Sequence, residues 1–314
     1  MAKVLEASAE DLHPPAKAGK FNWEKWTIVG PPSVFLIVFF AVPALIMVLA
    51  SFRFPGEFGG LEPVNFSSLA SNFTTETYEF FFSDWFYLGI FAKSFGIAFL
   101  STLLCLIIAY PLALTIARRP KHQRDLMILL VILPFASNFL VRIYAWMIIL
   151  GPQSAVSVAL NTVLGFLGVE PVRLLFSSFA VIVGMVYVHL PFMILPLYTN
   201  LEKHDPDLLY AAQDLGANAW HRFWKITFPL SLPGVFSGSV LVFVPVLGMF
   251  AVPELLGGTG DFMIGNLIKE QFFGTRDWPL GSALSILLMI SVLLLTGLSV
   301  KLASFWTDHL RDQG

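Results

Sequence analysis

Few side chains in this 314-residue sequence could do chemistry, and the most telling ones stand inside or beside long apolar runs. They are Tyr144, Trp146, Tyr187, Phe250, Glu254 and Asp277, with Arg142 and His189 among them. Lipid makes an ionisable group costly, so such groups are candidates for a solute path by default. Glu254 could attract an ammonium group or could be an interfacial carboxylate already in water. Aromatic faces bind alkylammonium groups through the ring quadrupole, at about 0.5–2 kcal/mol each. Tyr144, Trp146, Tyr187 and Phe250 are therefore wall candidates as well as packing residues. Asp277, followed by Trp278, reads as a gate, a docking contact or a helix cap. Arg142 would repel a cation, and is expected to pair with an outer carboxylate or to snorkel outward. His189, in YVHLP, is expected to hydrogen-bond a neighbouring helix rather than bind a ligand, and Pro191 frees a backbone carbonyl that it could reach. No Cys/His/carboxylate spacing suggests a metal site, and no nucleophile stands beside a base, so no catalytic residue is assigned.

A second kind of place is polar. The stretch YAAQDLGANAWHRFWKITFPLSLPG, residues 210–234, separates two very apolar segments. Asp205 and Pro206 form a helix start, since aspartate caps and proline suits the first turn. Gly216 ends that helix, because glycine accepts the left-handed conformation a C-terminus needs. A second short amphipathic helix is expected from Ala219, setting Trp220, Phe223, Trp224 and Phe228 among His221, Arg222 and Lys225, with Pro229 and Pro233 preceding the next span. The segment is either an amphipathic connector lying on lipid or a rigid docking knob for another protein.

The elements that must position these residues follow from composition. The chain is 56% hydrophobic and 13% charged, with a mean hydropathy of +0.75, against about 25% charged residues in soluble domains. This is an integral membrane protein. Six stretches are long and apolar enough to span as helices, at roughly 27–52, 91–117, 126–150, 177–200, 232–256 and 281–305. Spans in lipid must satisfy their own backbone, and none shows the alternation of a barrel strand, so the fold class is all-α. A polar tail, 1–26, precedes the six-helix domain 27–305 and is expected to be retained, and a second tail covers 306–314. Between spans lie the outer segments 53–90 and 151–176 and the inner loop 201–230. Lys3, Lys17, Lys20, Lys25, Arg118, Arg119, Lys121, Arg124, Lys203, Arg222, Lys225, Lys301 and Arg311 fall on one side. The other side has Arg53, Arg173, Lys269 and Arg276, so both termini and loop 201–230 are expected in the cytoplasm. Phe80, Phe81, Phe82, Trp85, Phe86 and Tyr87 read as a membrane-surface anchor or a docking surface. Prolines 43, 111, 134, 191, 196, 245 and 253 could kink spans. The net charge of −2 points to no nucleic-acid partner, and the single Cys105 allows no internal disulfide. A Gly-Lys-Ser/Thr phosphate loop is absent, and Gly257-Gly258-Thr259-Gly260 reads as a turn after the fifth span.

Ala211-Ala212, three residues, Gly216, nine residues and then Ile226-Thr227-Phe228-Pro229 resembles the cytoplasmic signature of permease subunits in binding-protein-dependent ATP-binding-cassette importers. That signature is written Glu-Ala-Ala, three residues, Gly, nine residues, Ile-x-Leu-Pro. Tyr210 stands where the pattern has Glu, and Phe228 where it often has Leu. The resemblance implies a coupling helix at about 206–216, with Tyr210, Ala211, Ala212, Asp214, Gly216, Ile226 and Pro229 meeting an ATPase. LPFASNFLVRIYAWMIILG from Leu133 and MIGNLIKEQFFGTRDWPLGSALSI from Met263 are similar to spermidine/putrescine importer permeases, over about 90–305. This implies a type I importer permease fold and alternating access. The implied partners are a second permease subunit, two ATP-binding subunits carrying ATP and magnesium, and a periplasmic or extracellular substrate-binding protein, with no cofactor in this chain. The implied cargo is a small cationic polyamine; relatives with this pattern also move opines, other small amines and phosphonates. Rival readings are a membrane-embedded enzyme using Glu254, Asp277 and His189, and an exporter or receptor scaffold whose loop binds a regulator.

Overall fold

The computed structural model describes residues 23–64 and 72–311, so most of the polar tail lies outside the described residues. The chain forms two units, 1–49 and 50–314. In the first, α1 (Trp23–Leu36) passes through a π turn (Ile37–Ala41) into α2 (Val42–Ser51). Pro43 has no N–H to give to the turn before it, and the extra residue lets the Val42 N–H reach back to the Ile37 carbonyl. Phe35, Phe39 and Phe40 are exposed, as on a helix whose solvent is lipid.

In the second unit, Asp84 ends α3 (Glu76–Ser83) and accepts from the Phe86 N–H to start α4 (Trp85–Ala117). Then follow α5 (Lys121–Ile132), a 3-10 turn (Leu133–Ala136), α6 (Phe139–Leu150), α7 (Ala155–Phe166) and α8 (Ser178–Leu201). The hairpin helix α9 (Asp207–Asp214) leads to α10 (Ala219–Arg222), a π turn (Phe223–Thr227) and α11 (Phe228–Gly248). Last come α12 (Ala251–Leu256), α13 (Ile264–Lys269) and α14 (Trp278–Arg311). Among the described residues there is no strand beyond two isolated bridges, and six helical runs are long and apolar enough to cross a membrane.

Three features depart from the sequence expectation. The third span is not one helix over 126–150. It breaks after Pro134, where Ser137 donates to the Pro134 carbonyl and Asn138 caps α6 through the Leu140 N–H. A proline alone does not force such a break, since Pro111 is carried inside α4. The second short helix expected at Ala219 is instead the first turn of the fifth span, continuous through the π turn into Phe228, with Pro233 inside the helix and Pro229 in its first turn, where a missing N–H does no harm. The last helix runs on to Arg311, beyond the expected end at 305. The aromatic segment at 80–87 also divides: Phe81 is buried among Ile90, Ile264, Leu280 and Leu284, while Phe82, Trp85 and Phe86 stay exposed.

The core sits where α4, α8 and α11 meet. Ala98, Cys105, Ala109 and Ala113 of α4 are fully buried, facing Met185, Met193 and Leu197 of α8 and Val242 and Val246 of α11. Small residues set the approach, because helices in lipid gain little from hydrophobic exclusion and must pack closely instead. Gly234 and Gly238 of α11 form a close seam with α8. A β-carbon at Gly234 would stand 2.8 Å from Asn200 Cβ and 3.2 Å from the Pro196 carbonyl oxygen, and one at Gly238 would stand 2.8 Å from Met193 Sδ.

Gly234→Val should therefore lower stability by about 1–3 kcal/mol through overpacking against backbone that cannot yield. Gly96→Ala, where a β-carbon meets nothing within 4 Å, should leave the melting temperature in detergent within error of the native protein. Equal melting temperatures for the two variants would show that the α8–α11 seam is not close-packed.

Candidate functional site

The polar hairpin closes itself with local hydrogen bonds. Asp205 accepts from the Asp207 N–H at 3.0 Å and starts α9. At the other end the Ala217 N–H reaches the Ala212 carbonyl and the Gly216 N–H reaches the Gln213 carbonyl, both at 2.9 Å. These two bonds form a Schellman closure, which requires a left-handed residue at Gly216, and its φ is +84°. The fixed spacing between Ala212 and Gly216 is the spacing of that closure. Arg222 donates to Gln213 Oε1 at 2.8 Å, and Asn218 caps α10 through the His221 N–H, so the return limb is pinned to α9. No residue of α9 is buried; Tyr210 is 63% exposed and Leu215, just after the helix, 89%. Ile226 and Pro229 do not stand on this knob. They lie in the π turn and the base of α11.

Beneath the hairpin a cavity of about 700 Å³ opens between α9 and the helix ends, lined by Ala117, Arg118, Leu201, His204, Leu209, Tyr210 and Phe223. Its walls are tied to the membrane helices at three points. Arg124 Nη1 of α5 meets Glu202 Oε1 at 2.6 Å. The Tyr110 hydroxyl of α4 shares a hydrogen bond with Ser231 at 2.8 Å and its ring meets Phe223 edge-on at 5.5 Å. The His204 ring bonds the Leu230 carbonyl. Burial pushes its pKa below the ordinary 6.5, against the pull of that bond.

At the opposite end of the helices the sequence candidates separate into distinct places. Glu254 does not offer a free carboxylate: Lys269 Nζ lies 2.6 and 2.7 Å from its two oxygens and 5.5 Å from the centre of the Phe250 ring. Asn266 fixes Phe250 by donating to its carbonyl at 2.9 Å. Asp277 caps α14, accepting from the Leu280 N–H at 3.0 Å. Trp146 of α6 and Tyr187 of α8 meet edge-on with ring centres 5.4 Å apart, while Tyr144 is 51% exposed on another face of α6. His189 is buried and bonds the Met185 carbonyl of its own helix at 2.8 Å, not a neighbouring helix, since the carbonyl one turn back is the acceptor within reach. Arg142 neither pairs with an outer carboxylate nor snorkels outward. It turns over the Phe135 ring at 4.7 Å, beside the break in the third span.

One cluster was not legible as a site. Asp261, in the turn that follows Gly257-Gly258-Thr259-Gly260, is buried and gathers three donors: the Ser178 hydroxyl at the start of α8, the Gly258 N–H at 2.9 Å, and Lys93 of α4 at 3.3 Å. Burial alone would raise its pKa, but these donors outweigh burial and hold the carboxyl below its usual 3.8. The only sequence signal is an acid directly after a glycine-rich turn. Its partners lie 83 and 168 residues away.

Asp261→Asn should cost about 1–3 kcal/mol, because it leaves buried donors and a lysine without their acceptor. Glu254→Gln breaks an exposed pair and should cost less than about 1 kcal/mol. Thermal melts of the two variants in one detergent check the ranking. At the hairpin, a loosened loop protonates His204 near pH 6.5, whereas the packed loop resists protonation. Packing is therefore at full strength above that pH and weakens as pH falls below it. Proteolysis of the loop should quicken between pH 7.5 and 5.5, and His204→Gln should flatten that dependence; an unchanged profile in the variant would remove His204 from the account.

Comparison with known proteins bears on all of these elements. The family model described as binding-protein-dependent transport system inner membrane component matches residues 109–309, from the middle of α4 through α14. The chain is 40% identical over 262 residues to the spermidine/putrescine transport system permease protein PotB of Haemophilus influenzae, covering 83% of this chain and 87% of that one. It is 40% identical over 266 residues to the protein of the same name from Escherichia coli, covering 84% and 90%. A chain of a bacterial alginate ABC transporter, solved in complex with alginate pentasaccharide-bound periplasmic protein, shares the fold at a TM-score of 0.68 and 17% identity, covering 88% of this chain and 93% of that one. With its six apolar helices and its exposed hairpin, the chain belongs to the binding-protein-dependent inner-membrane transport components, and its work is transport rather than catalysis.

Proposed function

We propose that this chain is one of two permease subunits in an ATP-driven importer that carries a small polyamine, of the spermidine and putrescine kind, across the inner membrane by alternating access. The observation that carries this reading is α9, a short helix closed at Gly216 with no buried residue, held through Gln213 and Arg222 to the return limb that runs on into α11. Such a helix is built to be gripped by another protein and to pass the grip on to the spans. In this reading α9 is the coupling helix, seated in an ATP-binding subunit, and Tyr210 contributes an apolar ring where the related signature has a carboxylate. Two such subunits bind ATP and magnesium, and this chain holds no cofactor.

The clustering of Lys and Arg in the loops on the hairpin's side supports a cytoplasmic hairpin and cytoplasmic termini. The outer segments then receive a substrate-binding protein loaded with solute. Two facts support a polyamine cargo. Both relatives named above carry that activity in their names, over most of their length. Glu254 and Phe250 together already hold a primary ammonium, that of Lys269, between a carboxylate and a ring face.

The test is the ATPase rate of the complex in lipid, reconstituted with its second permease, ATP-binding subunits and binding protein. Spermidine or putrescine with the binding protein should stimulate hydrolysis, and Gly216→Asp, which strains a residue at φ +84°, should abolish that stimulation while assembly persists. Stimulation by a different solute alone would discard the polyamine, and stimulation that survives in the variant would discard α9 as the coupling element.

A further inference from the structure

Arg142 is a charge that no carboxylate among the described residues neutralises. It lies one turn into α6, four residues after the Asn138 cap at the break in the third span. Its guanidinium covers the Phe135 ring, and Phe135 packs edge-on against Phe192 with ring centres 5.6 Å apart. Phe192 is near the middle of the 24-residue α8, so the guanidinium sits close to mid-depth. Nε and Nη1 are buried without a hydrogen-bond partner, and among the described residues no carboxylate is within ion-pair reach.

Two ordinary escapes are closed. Snorkelling to a headgroup would need the side chain to climb the eight residues to Leu150, about 12 Å at 1.5 Å per residue, and the buried Nε shows that it does not extend that way. The ring face of Phe135 offsets only part of the cost of a desolvated cation. Membrane arginines pair with an acid or face a path. The α6 surface on one side of Arg142 is open: Asn138, Val141, Ala145 and Ile149 are exposed, while Phe139 and Trp146 on its other side pack on the core. What fits such a surface is an apolar helix bearing one carboxylate.

We propose that Arg142 receives a carboxylate from the second permease subunit, forming an inter-subunit ion pair at mid-depth. This rests on the importer reading above. A solute ammonium and the Arg142 guanidinium seek the same acceptor, so the pair keeps the path shut when it is empty. Arrival of the solute exchanges the guanidinium for the ammonium. Arg142 thereby acts on the cargo through its partner and without touching it, which explains how a fixed cation can stand on the wall of a cation path.

The complete complex tests this in a Cys105→Ser background. Arg142→Cys is combined in turn with cysteine at each intramembrane Asp or Glu of the second permease. One position should give an oxidative cross-link. In parallel, Arg142→Asp should lower polyamine-stimulated ATPase by about tenfold or more, reversal of that same carboxylate to Arg should restore it, and Arg142→Lys should keep most of it. The idea is overturned if the second subunit has no intramembrane acid, if no position both cross-links and rescues, or if Arg142→Gln runs at the native rate. Failure of the importer reading looks different: the native complex would show no stimulation by binding protein and polyamine, whereas the cross-link reports subunit proximity without any turnover.

Discussion

Hydrocarbon offers a backbone nothing to bond with, and the architecture of this chain depends on how it meets that condition wherever a helix stops. At the break in the third span Ser137 donates to the Pro134 carbonyl and Asn138 accepts from the Leu140 N–H. At the hairpin the Schellman pair at Gly216 and Ala217 closes α9, and Asn218 opens the next helix at once. Beyond α12 the task falls to Asp261, which bonds the turn backbone at Gly258 while holding the starts of α4 and α8 together. Each of these interruptions is closed by groups within the chain.

Charge is distributed by the same logic. Arg124 with Glu202, Lys93 with Asp261 and Lys269 with Glu254 lie near the ends of the helices, where water tempers the cost of separation. Arg142 lies between the ends, with a ring but no acid beside it. Among the described residues the close ion pairs between distant parts of the chain thus lie toward the helix ends, and Arg142 is set apart from them.

What was legible in the sequence was local. Six apolar runs announced six spanning helices because span length is a property of consecutive residues, but the third lies at 139–166 rather than 126–150 and the fifth at 219–248 rather than 232–256. Asp205 and Gly216 marked the bounds of α9 because caps act within a few residues of the bond they make. Pro134 and Pro111 look alike in an apolar context, and only the Ser137-Asn138 pair after Pro134 distinguishes a broken span from a carried proline. The ion pairs could not be read, since Lys93 and Asp261 are 168 residues apart and no periodicity links them. Glu254 was recognised as a cation acceptor, yet its occupant, Lys269, is fixed by how α12 folds back on α13. The orientation of His189 was missed for the opposite reason: its acceptor was closer than any neighbouring helix.

The glycine seam between α8 and α11 has a mechanical consequence. These are the two spans that enter and leave the hairpin, and Gly234 and Gly238 let them touch so closely that neither can slide without carrying the other. A push on α9 is then delivered to a stiff two-rod beam and cannot be spent in bending the loop. With α8 24 residues long, that beam is about 36 Å from end to end, so a small tilt at the hairpin becomes a wide swing at the far rim. The far end of that beam is tied at Asp261, whose carboxylate accepts from the Ser178 hydroxyl at the start of α8.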